Sequence, residues 1–363
     1  MMQKALYFMP DISGFTKFVN NTEVEHSIHI IAELLEILLD NNPLNLQLVE
    51  IEGDALFMYL TTIPTYEALM KQVSTMHEAF HNHTQNYDNM RICNCGSCKT
   101  TTNLDLKFLV HYGDLNFIKV KHISKPYGRD VIKIHRLLKN KIPHSEYVLF
   151  TNSVYKLFEN QLNNEWKQAS EDYDLVSLDY FYKSLETIKD NLQKLSPLLA
   201  GQPNKPVLTI DKTFNANIEI IYSYLTELKY RHLWDKDVKR IEYDSSKVNR
   251  VGTEHNCVLN LGSLKFETIT EPSSEHLTYG EKTKEMMFTQ EFSYIIKLYK
   301  VDENITNIVL NIYITFSTIG SFMKNNILKL VAKLWNTKLE DLHEITKIQK
   351  SKIQKSKIIN KNE

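Results

Sequence analysis

Apolar and polar positions change period several times along the chain, and each change marks an element. Leu6-Tyr7-Phe8-Met9 is an apolar run of strand length. Pro10-Asp11-Ile12-Ser13-Gly14 interrupts it, and Val24, Ile28, Ile31, Leu35 and Leu38 then recur at helical spacing. Asn41-Asn42-Pro43 stops that helix. Gln47–Glu52 and Ala55–Leu60 read as two strands joined by a tight turn at Gly53-Asp54. The pattern further predicts a helix from Tyr66 to Phe80, strands over Leu104–His111 and Phe117–His122, a helix from Gly128 to Leu138, and a strand over Ser145–Thr151. Strands and helices interleaved with hairpins indicate an α+β domain over residues 1–160.

Residues 161–206 read as a connecting segment. They hold an apolar-aromatic patch at Tyr180–Tyr182, a helical stretch near Leu185–Leu195, and the breakers Pro197, Gly201, Pro203 and Pro206. A second domain spans residues 207–346, with a strand at Val207–Ile210, a short helix at Ile218–Leu228, strands from Lys239 to Thr318, and a long amphipathic helix from Asn325 to Ile345. From Ile348 to Ile358 a unit Ile-Gln-Lys-Ser-Lys repeats, so residues 347–363 read as a basic, low-complexity, solvated tail.

A length of 363 residues agrees with two domains, and 42% hydrophobic against 24% charged residues is enough for real cores. The formal charge of −1 gives no support to specific nucleic-acid binding. It hides a contrast: residues 1–60 hold nine acids and two lysines, whereas residues 347–363 hold six lysines and one acid. Four cysteines exclude a disulfide-dense secreted scaffold. The first residues lack the apolar core of a signal peptide, and the longest uncharged stretch, Asn307–Met323, is too short for a transmembrane segment. These features lead us to expect a cytoplasmic protein.

Two acidic turns carry candidate chemistry. Asp11 follows the first strand, and Asp54 sits in the Gly-Asp hairpin. If the hairpin lies beside the first strand, both carboxylates reach one sheet edge, where they could hold Mg²⁺ together with substrate phosphates. Between them, Ile12-Ser13-Gly14-Phe15-Thr16 leads into a helix whose free backbone N–H groups could cradle phosphate. An isolated turn aspartate is more often structural.

Phe8-Met9-Pro10-Asp11-Ile12-Ser13-Gly14-Phe15-Thr16 resembles the first motif of class III adenylyl and guanylyl cyclases, and Glu50-Ile51-Glu52-Gly53-Asp54-Ala55 resembles the second. Val110-His111-Tyr112-Gly113 is similar to the strand before their central hairpin, and Gly128–Leu137 has the outline of their last motif. The resemblance covers residues 4–155. It implies a ferredoxin-like domain that works as a head-to-tail homodimer on a nucleoside triphosphate, with Mg²⁺ or Mn²⁺ on Asp11 and Asp54. It implies that Ser13, Gly14 and Phe15 meet the substrate and that Arg136, from the partner chain, stabilises the transition state. Glu50 falls at the purine-selecting position, where guanylyl cyclases have Glu, and Lys125 falls near the second base-reading position. That pair favours GTP over ATP. Ile132 stands where the family has an Asn, so the alternative is a domain that has lost catalysis and serves as a dimeric binding or interaction scaffold.

Cys93, Cys95 and Cys98 form a C-x-C-x-x-C cluster, and His77, His81 and His83 lie just upstream. Three readings stand open: a Zn²⁺ site with His81 as fourth ligand, a redox-active or disulfide-forming loop, and inert thiols. The second domain resembles the START-like (polyketide cyclase-like, helix-grip) superfamily. That implies a curved sheet around a long helix and a cavity for a hydrophobic small molecule or lipid, with Met286, Met287, Phe288, Phe292 and Tyr294 as candidate lining.

Overall fold

The computed structural model of the chain describes residues 3–20, 24–93, 95–173, 176–187, 205–260, 262–271 and 273–359. The chain divides into two units, Met1–Asn89 with Cys95–Ser196, and Met90–Asn94 with Pro197–Glu363.

The first unit is built on β1 (Lys4–Ser13), in which Ala5 through Ile12 are all buried. Such a run without alternation belongs to a strand covered on both faces. After β1 come α1 (Phe15–Asn20) and α2 (Val24–Asp40), then the hairpin of β2 (Gln47–Glu52) and β3 (Ala55–Leu60), and α3 (Tyr66–Met90). The chain continues through α4 (Gly96–Thr100), β4 (Asp105–Asp114), the hairpin of β5 (Asn116–Val120) and β6 (Ile123–Tyr127), α5 (Arg129–Leu137), β7 (Tyr147–Thr151) and α6 (Asn152–Phe158). β8 (Lys167–Tyr173) and β9 (Val176–Ser184) complete the unit's strands. The sheet order is β2-β3-β1-β4-β7-β9-β8, with β4 and β7 parallel and the other pairs antiparallel. Its first four strands make the split β-α-β arrangement. Ala5, Tyr7 and Met9 share a core with Phe57, Leu109, Ile134 and Leu137, so α5 covers that face of β1. Each such side chain contributes about 1.5–3 kcal/mol by leaving water.

Three elements of the first unit differ from the pattern read in the sequence, and in the second unit the closing helix runs on to Ile359, past the expected end at Ile345 and into residues read as a tail. α3 runs to Met90, ten residues past Phe80, because buried His77, His81, Thr84 and Tyr87 continue its inner stripe with residues that read as polar. The single strand expected over Phe117–His122 is a hairpin, and Lys121 turns it with φ 54°. Within the expected connecting segment, β8 and β9 extend the first sheet, where Tyr180 and Tyr182 alternate inward beside Tyr147. The helix expected over Leu185–Leu195 lies almost wholly outside the described residues.

The second unit contains β10 (Leu208–Phe214), α7 (Ile218–Thr226), α8 (Arg231–Trp234), β11 (Arg240–Glu242), β12 (Glu254–Leu259), β13 (Gly262–Ile269), β14 (Leu277–Thr283), β15 (Thr289–Lys300) and β16 (Thr306–Phe316). It closes with α9 (Thr318–Phe322) and α10 (Lys324–Ile359). The strands form one antiparallel sheet in the order β10-β16-β15-β14-β13-β12-β11. Asn217 caps α7 by accepting from the Glu219 N–H at 2.8 Å. Val331, Trp335, Leu339 and Leu342 form the inner stripe of α10 and pack with Tyr279, Tyr294, Ile296 and Leu310 of the sheet.

Gly280 shows how tightly this sheet is filled. A Cβ there would stand 2.2 Å from the carbonyl oxygen of Tyr294, a backbone atom that cannot swing away. Gly280→Ala is therefore expected to destabilise the second unit by about 1–3 kcal/mol. Urea unfolding followed by tryptophan fluorescence checks it, since Trp234 and Trp335 are buried in this unit.

Candidate functional site

Asp11 reaches the end of β1 on the face that carries Tyr7 and Met9, and Asp54 occupies the turn between β2 and β3. The backbone binds the two together: Ile12 N–H donates to the Asp54 carbonyl at 3.1 Å, and Asp11 lies opposite Ala55. Lys107 of β4, also opposite Asp11, brings its ammonium to 2.8 Å from the Asp11 carboxylate. Burial raises the Asp11 pKa against the pull of that lysine. Asp54 is pushed up to about 6, by burial first and then by the negative charge of Asp11. Burial works to lower the Lys107 pKa, but the charge and hydrogen bond of Asp11 together with Tyr147 and Asp54 outweigh it, and the net shift is upward. The pair is thus two desolvated carboxylates that repel one another, with one cation beside them. Such a donor set suits a divalent ion, which takes carboxylates plus phosphate oxygens.

The hairpin adds two more acids to the same face. Cross-strand partners share a face, and Glu50 lies opposite Phe57 while Glu52 lies opposite Ala55. A β-bulge between Leu48 and Glu50 leaves Val49 as the extra residue, and Val49 packs into the same core as Phe57. Lys125 of β6 makes an ion pair with Glu50, so the two proposed base-reading residues do come together. His135 of α5 meets Glu52 at 2.6 Å. Arg136 is the next residue, in the last turn of α5, and Ile132 is half exposed one turn earlier.

Ser13 and Gly14 leave β1 at the same end. The Ser13 hydroxyl donates to the carbonyl of Ser145 at 2.9 Å, and Gly14 adopts φ 89°, which favours glycine. Phe15 lines an apolar groove of about 450 Å³ with Val19, Ile28, Ile31, Leu35 and Ile51.

A network that the sequence pattern did not suggest ties the third and fourth motifs together. Asp130 accepts from His111 at 3.1 Å, from Lys133 at 2.8 Å and from the Asp114 N–H at 2.9 Å. His111 also meets the Thr151 hydroxyl at 2.9 Å. The bond from His111, with those from Lys133 and Asp114, holds the Asp130 carboxyl far below the usual carboxylate range despite burial. Gly113 permits this approach, since a Cβ there would lie 2.4 Å from Asp130 Cγ. The signal was present as Gly113 and Asp130 in separate motifs, but only the fold puts them in contact.

The second unit holds a cavity of about 300 Å³ lined by Val331, Leu334, Trp335, Met286, Phe292 and Tyr294, with Arg231, Asp235 and Glu281 among its polar lining. Of the five residues expected to line a cavity, Met286, Phe292 and Tyr294 do so, whereas Met287 and Phe288 are exposed. Arg231 and Glu281 form an ion pair that is almost completely buried. Arg231 also donates to the Tyr294 hydroxyl at 3.2 Å, and the Tyr279 hydroxyl donates to Glu281 at 2.5 Å. Even so, Arg231 Nε, Glu281 Oε2 and Asp235 Oδ1 have no hydrogen-bond partner among the described residues. Burial, then the charge of Arg231, lowers His255 to about 3, so its 3.4 Å approach to Glu281 is not an ion pair at neutral pH.

The cysteine cluster has a different imidazole from the one expected. His26 Nδ1 lies 3.3 Å from Cys95 Sγ and 3.6 Å from Cys98 Sγ, and the donor atoms of His26, Cys93, Cys95 and Cys98 all fall within 4.8 Å of one another. His81 is placed elsewhere. One helical turn from His77, it points with it into the core of the first unit and pairs with buried Glu146. Sequence proximity favoured His81, but the inner stripe of α3 aims it away. The motif reading missed His26 because nothing in its local sequence marks it.

Over 143 residues the chain is 30% identical to the uncharacterized protein Rv2561/Rv2562 of Mycobacterium tuberculosis, an alignment covering 39% of this chain and 67% of the relative. The chain belongs to the family of this mycobacterial protein. Residues 31–147 also match the family model described as a protein of unknown function (DUF2652). Among solved structures, the chain is similar to the adenylyl cyclase CyaB from P. aeruginosa, at 16% identity over 50% of this chain and 94% of that one, with a TM-score of 0.37. It is also similar to the guanylate cyclase domain of RhGC from Catenaria anguillulae, at 11% identity over 50% of this chain and 96% of that one, with a TM-score of 0.35. Among the described residues of this family member, no helix is long and apolar enough to cross a membrane.

The Asp130 network predicts a pH dependence. A carboxyl whose pKa is depressed in the fold contributes stability above its ordinary value of 3.8 and loses it as pH falls through and below that value. Asp130→Asn is expected to lower stability at neutral pH by about 1.5–3 kcal/mol and to flatten the acid side of the stability curve. Thermal unfolding from about pH 6 down to 3 checks both effects.

Proposed function

We propose that the first unit binds a nucleoside triphosphate, GTP in preference to ATP, and converts it to a cyclic nucleotide as a head-to-tail homodimer. On this reading the second unit binds a hydrophobic small molecule or lipid. The observation that carries the reading is the approach of Asp11 and Asp54, close enough for one charge to raise the pKa of the other. The four cyclase-like sequence motifs support the same reading, and so does the pairing of Glu50 with Lys125. Asp11 and Asp54 would hold Mg²⁺ or Mn²⁺, which when bound would activate the 3′-hydroxyl and neutralise the phosphate. Ser13 and Gly14 bring backbone N–H groups to the same strand end. Glu50 would accept from guanine N1 and N2 and Lys125 would donate to O6. Arg136 of a second copy would balance charge on the phosphoryl group. The β5–β6 hairpin favours a partner copy, because Phe117, Ile118, Val120 and Ile123 are about half exposed on it.

A second reading has its own observations. Lys107 already neutralises Asp11 at 2.8 Å, and Ile132 removes a polar group from the last motif. Both suit a binding or interaction domain that keeps the fold without the reaction.

Purified full-length protein incubated with each nucleoside triphosphate and Mg²⁺ or Mn²⁺ separates the two. The first reading expects cyclic nucleotide, mostly from GTP, and a loss of at least about 100-fold in Asp54→Ala. A folded dimer inactive with all four nucleotides overturns it. For the second unit, a fluorescent fatty-acid probe is expected to bind the wild type and to bind Val331→Trp at least about tenfold more weakly, because the indole fills the cavity. Equal binding by both proteins rejects this cavity as the site.

A further inference from the structure

The cysteine segment holds chemistry that neither the carboxylate face nor the cavity uses. α4 packs against α1 and α2 and presents Cys98, which is 1% exposed. The Cys98 N–H donates to Cys95 Sγ at 3.4 Å, and the Tyr87 hydroxyl lies 3.7 Å from Cys98 Sγ. His26 reaches in from α2 to within 3.3 and 3.6 Å of the two sulfurs. Cys93 is only two residues from Cys95 along the chain, and its sulfur belongs to the same group of four donors. None of these cysteines is in a disulfide.

Of the three readings open to the sequence, this geometry separates one. Inert thiols pack as small apolar groups and have no need to converge on an imidazole nitrogen. A disulfide would join two sulfurs and leave the third thiol and the imidazole unexplained. A tetrahedral Zn²⁺ with Zn–S near 2.3 Å and Zn–N near 2.0–2.1 Å has edges of roughly 3.5–3.8 Å. The two N···S separations, 3.3 and 3.6 Å, bracket the lower end of that range. An iron–sulfur cluster spreads its thiolates over several irons, so its ligands stand farther apart than one tetrahedron allows.

We propose that His26, Cys93, Cys95 and Cys98 form a structural Zn²⁺ site that fastens α2 to the segment leading into β4. Four protein ligands leave no open position, so the ion holds structure and takes no substrate. Binding converts three thiols to thiolates and releases three protons to solvent. The Cys98 amide and the Tyr87 hydroxyl orient two of the sulfurs from outside the ligand shell.

The test uses the full chain purified under reducing conditions without chelator, with metals and acid-labile sulfide quantified. One zinc per chain is expected, and His26→Ala should lose zinc to a competing chromophoric chelator at least tenfold faster. Cobalt exchanged into the wild type should give thiolate-to-metal charge transfer and the intense visible bands of a tetrahedral site. That spectrum decides the matter even if His26→Ala fails to fold. Iron with sulfide in place of zinc, a cobalt spectrum of octahedral type, or a folded His26→Ala that retains zinc like the wild type would each overturn the proposal.

Discussion

β1 has a hydrogen-bonded neighbour on each edge and buried side chains on each face, and the candidate site is held at its end. Such a strand cannot slip by one residue without exchanging its two apolar faces. The position of Asp11 is therefore fixed by the burial of Tyr7 and Met9 before it. Lys107 inherits its place from the same register, because β4 pairs with β1 along its whole length. Asp54 is fixed from the other side, where its carbonyl takes the N–H of Ile12. The carboxylates are crowded because the sheet leaves them nowhere else to go.

Much of this was legible in the sequence. The run Leu6–Met9, the Gly53-Asp54 turn and the helical spacing from Val24 to Leu38 each have one dominant physical reading, and the structure contains those elements. The first sheet's full width was not legible. Tyr180 and Tyr182 belong to an ordered strand, yet the polar residues around them read as a linker. α3 was read short because histidines on its inner face look solvated until Glu146 arrives from far along the chain. The cysteine cluster was visible as a metal motif, but its imidazole came from α2, nearly seventy residues earlier, and no local spacing encodes that.

The two units handle buried charge in different ways. In the first, Asp130 collects three donors and is fully engaged. In the second, Arg231 and Glu281 satisfy each other only in part, and atoms on both remain unpartnered among the described residues. A buried ion pair of this kind contributes little net stability, because desolvation offsets most of the attraction. It does set the polarity of one part of the cavity wall.

The bulge at Val49 has a consequence for how this hairpin tolerates change. Glu50, Glu52 and Asp54 are spaced two residues apart and take their face by counting back from the turn at Gly53. Residues before the bulge take theirs from pairing with Met58 and Tyr59. The extra residue uncouples the two counts. The loop from Asn41 to Leu46 could therefore lengthen or shorten without moving a single acid. One residue gained or lost between Glu50 and Asp54, however, would turn Glu50 to the opposite side of the sheet and part it from Lys125. In this hairpin, length is as strong a determinant of chemistry as residue identity.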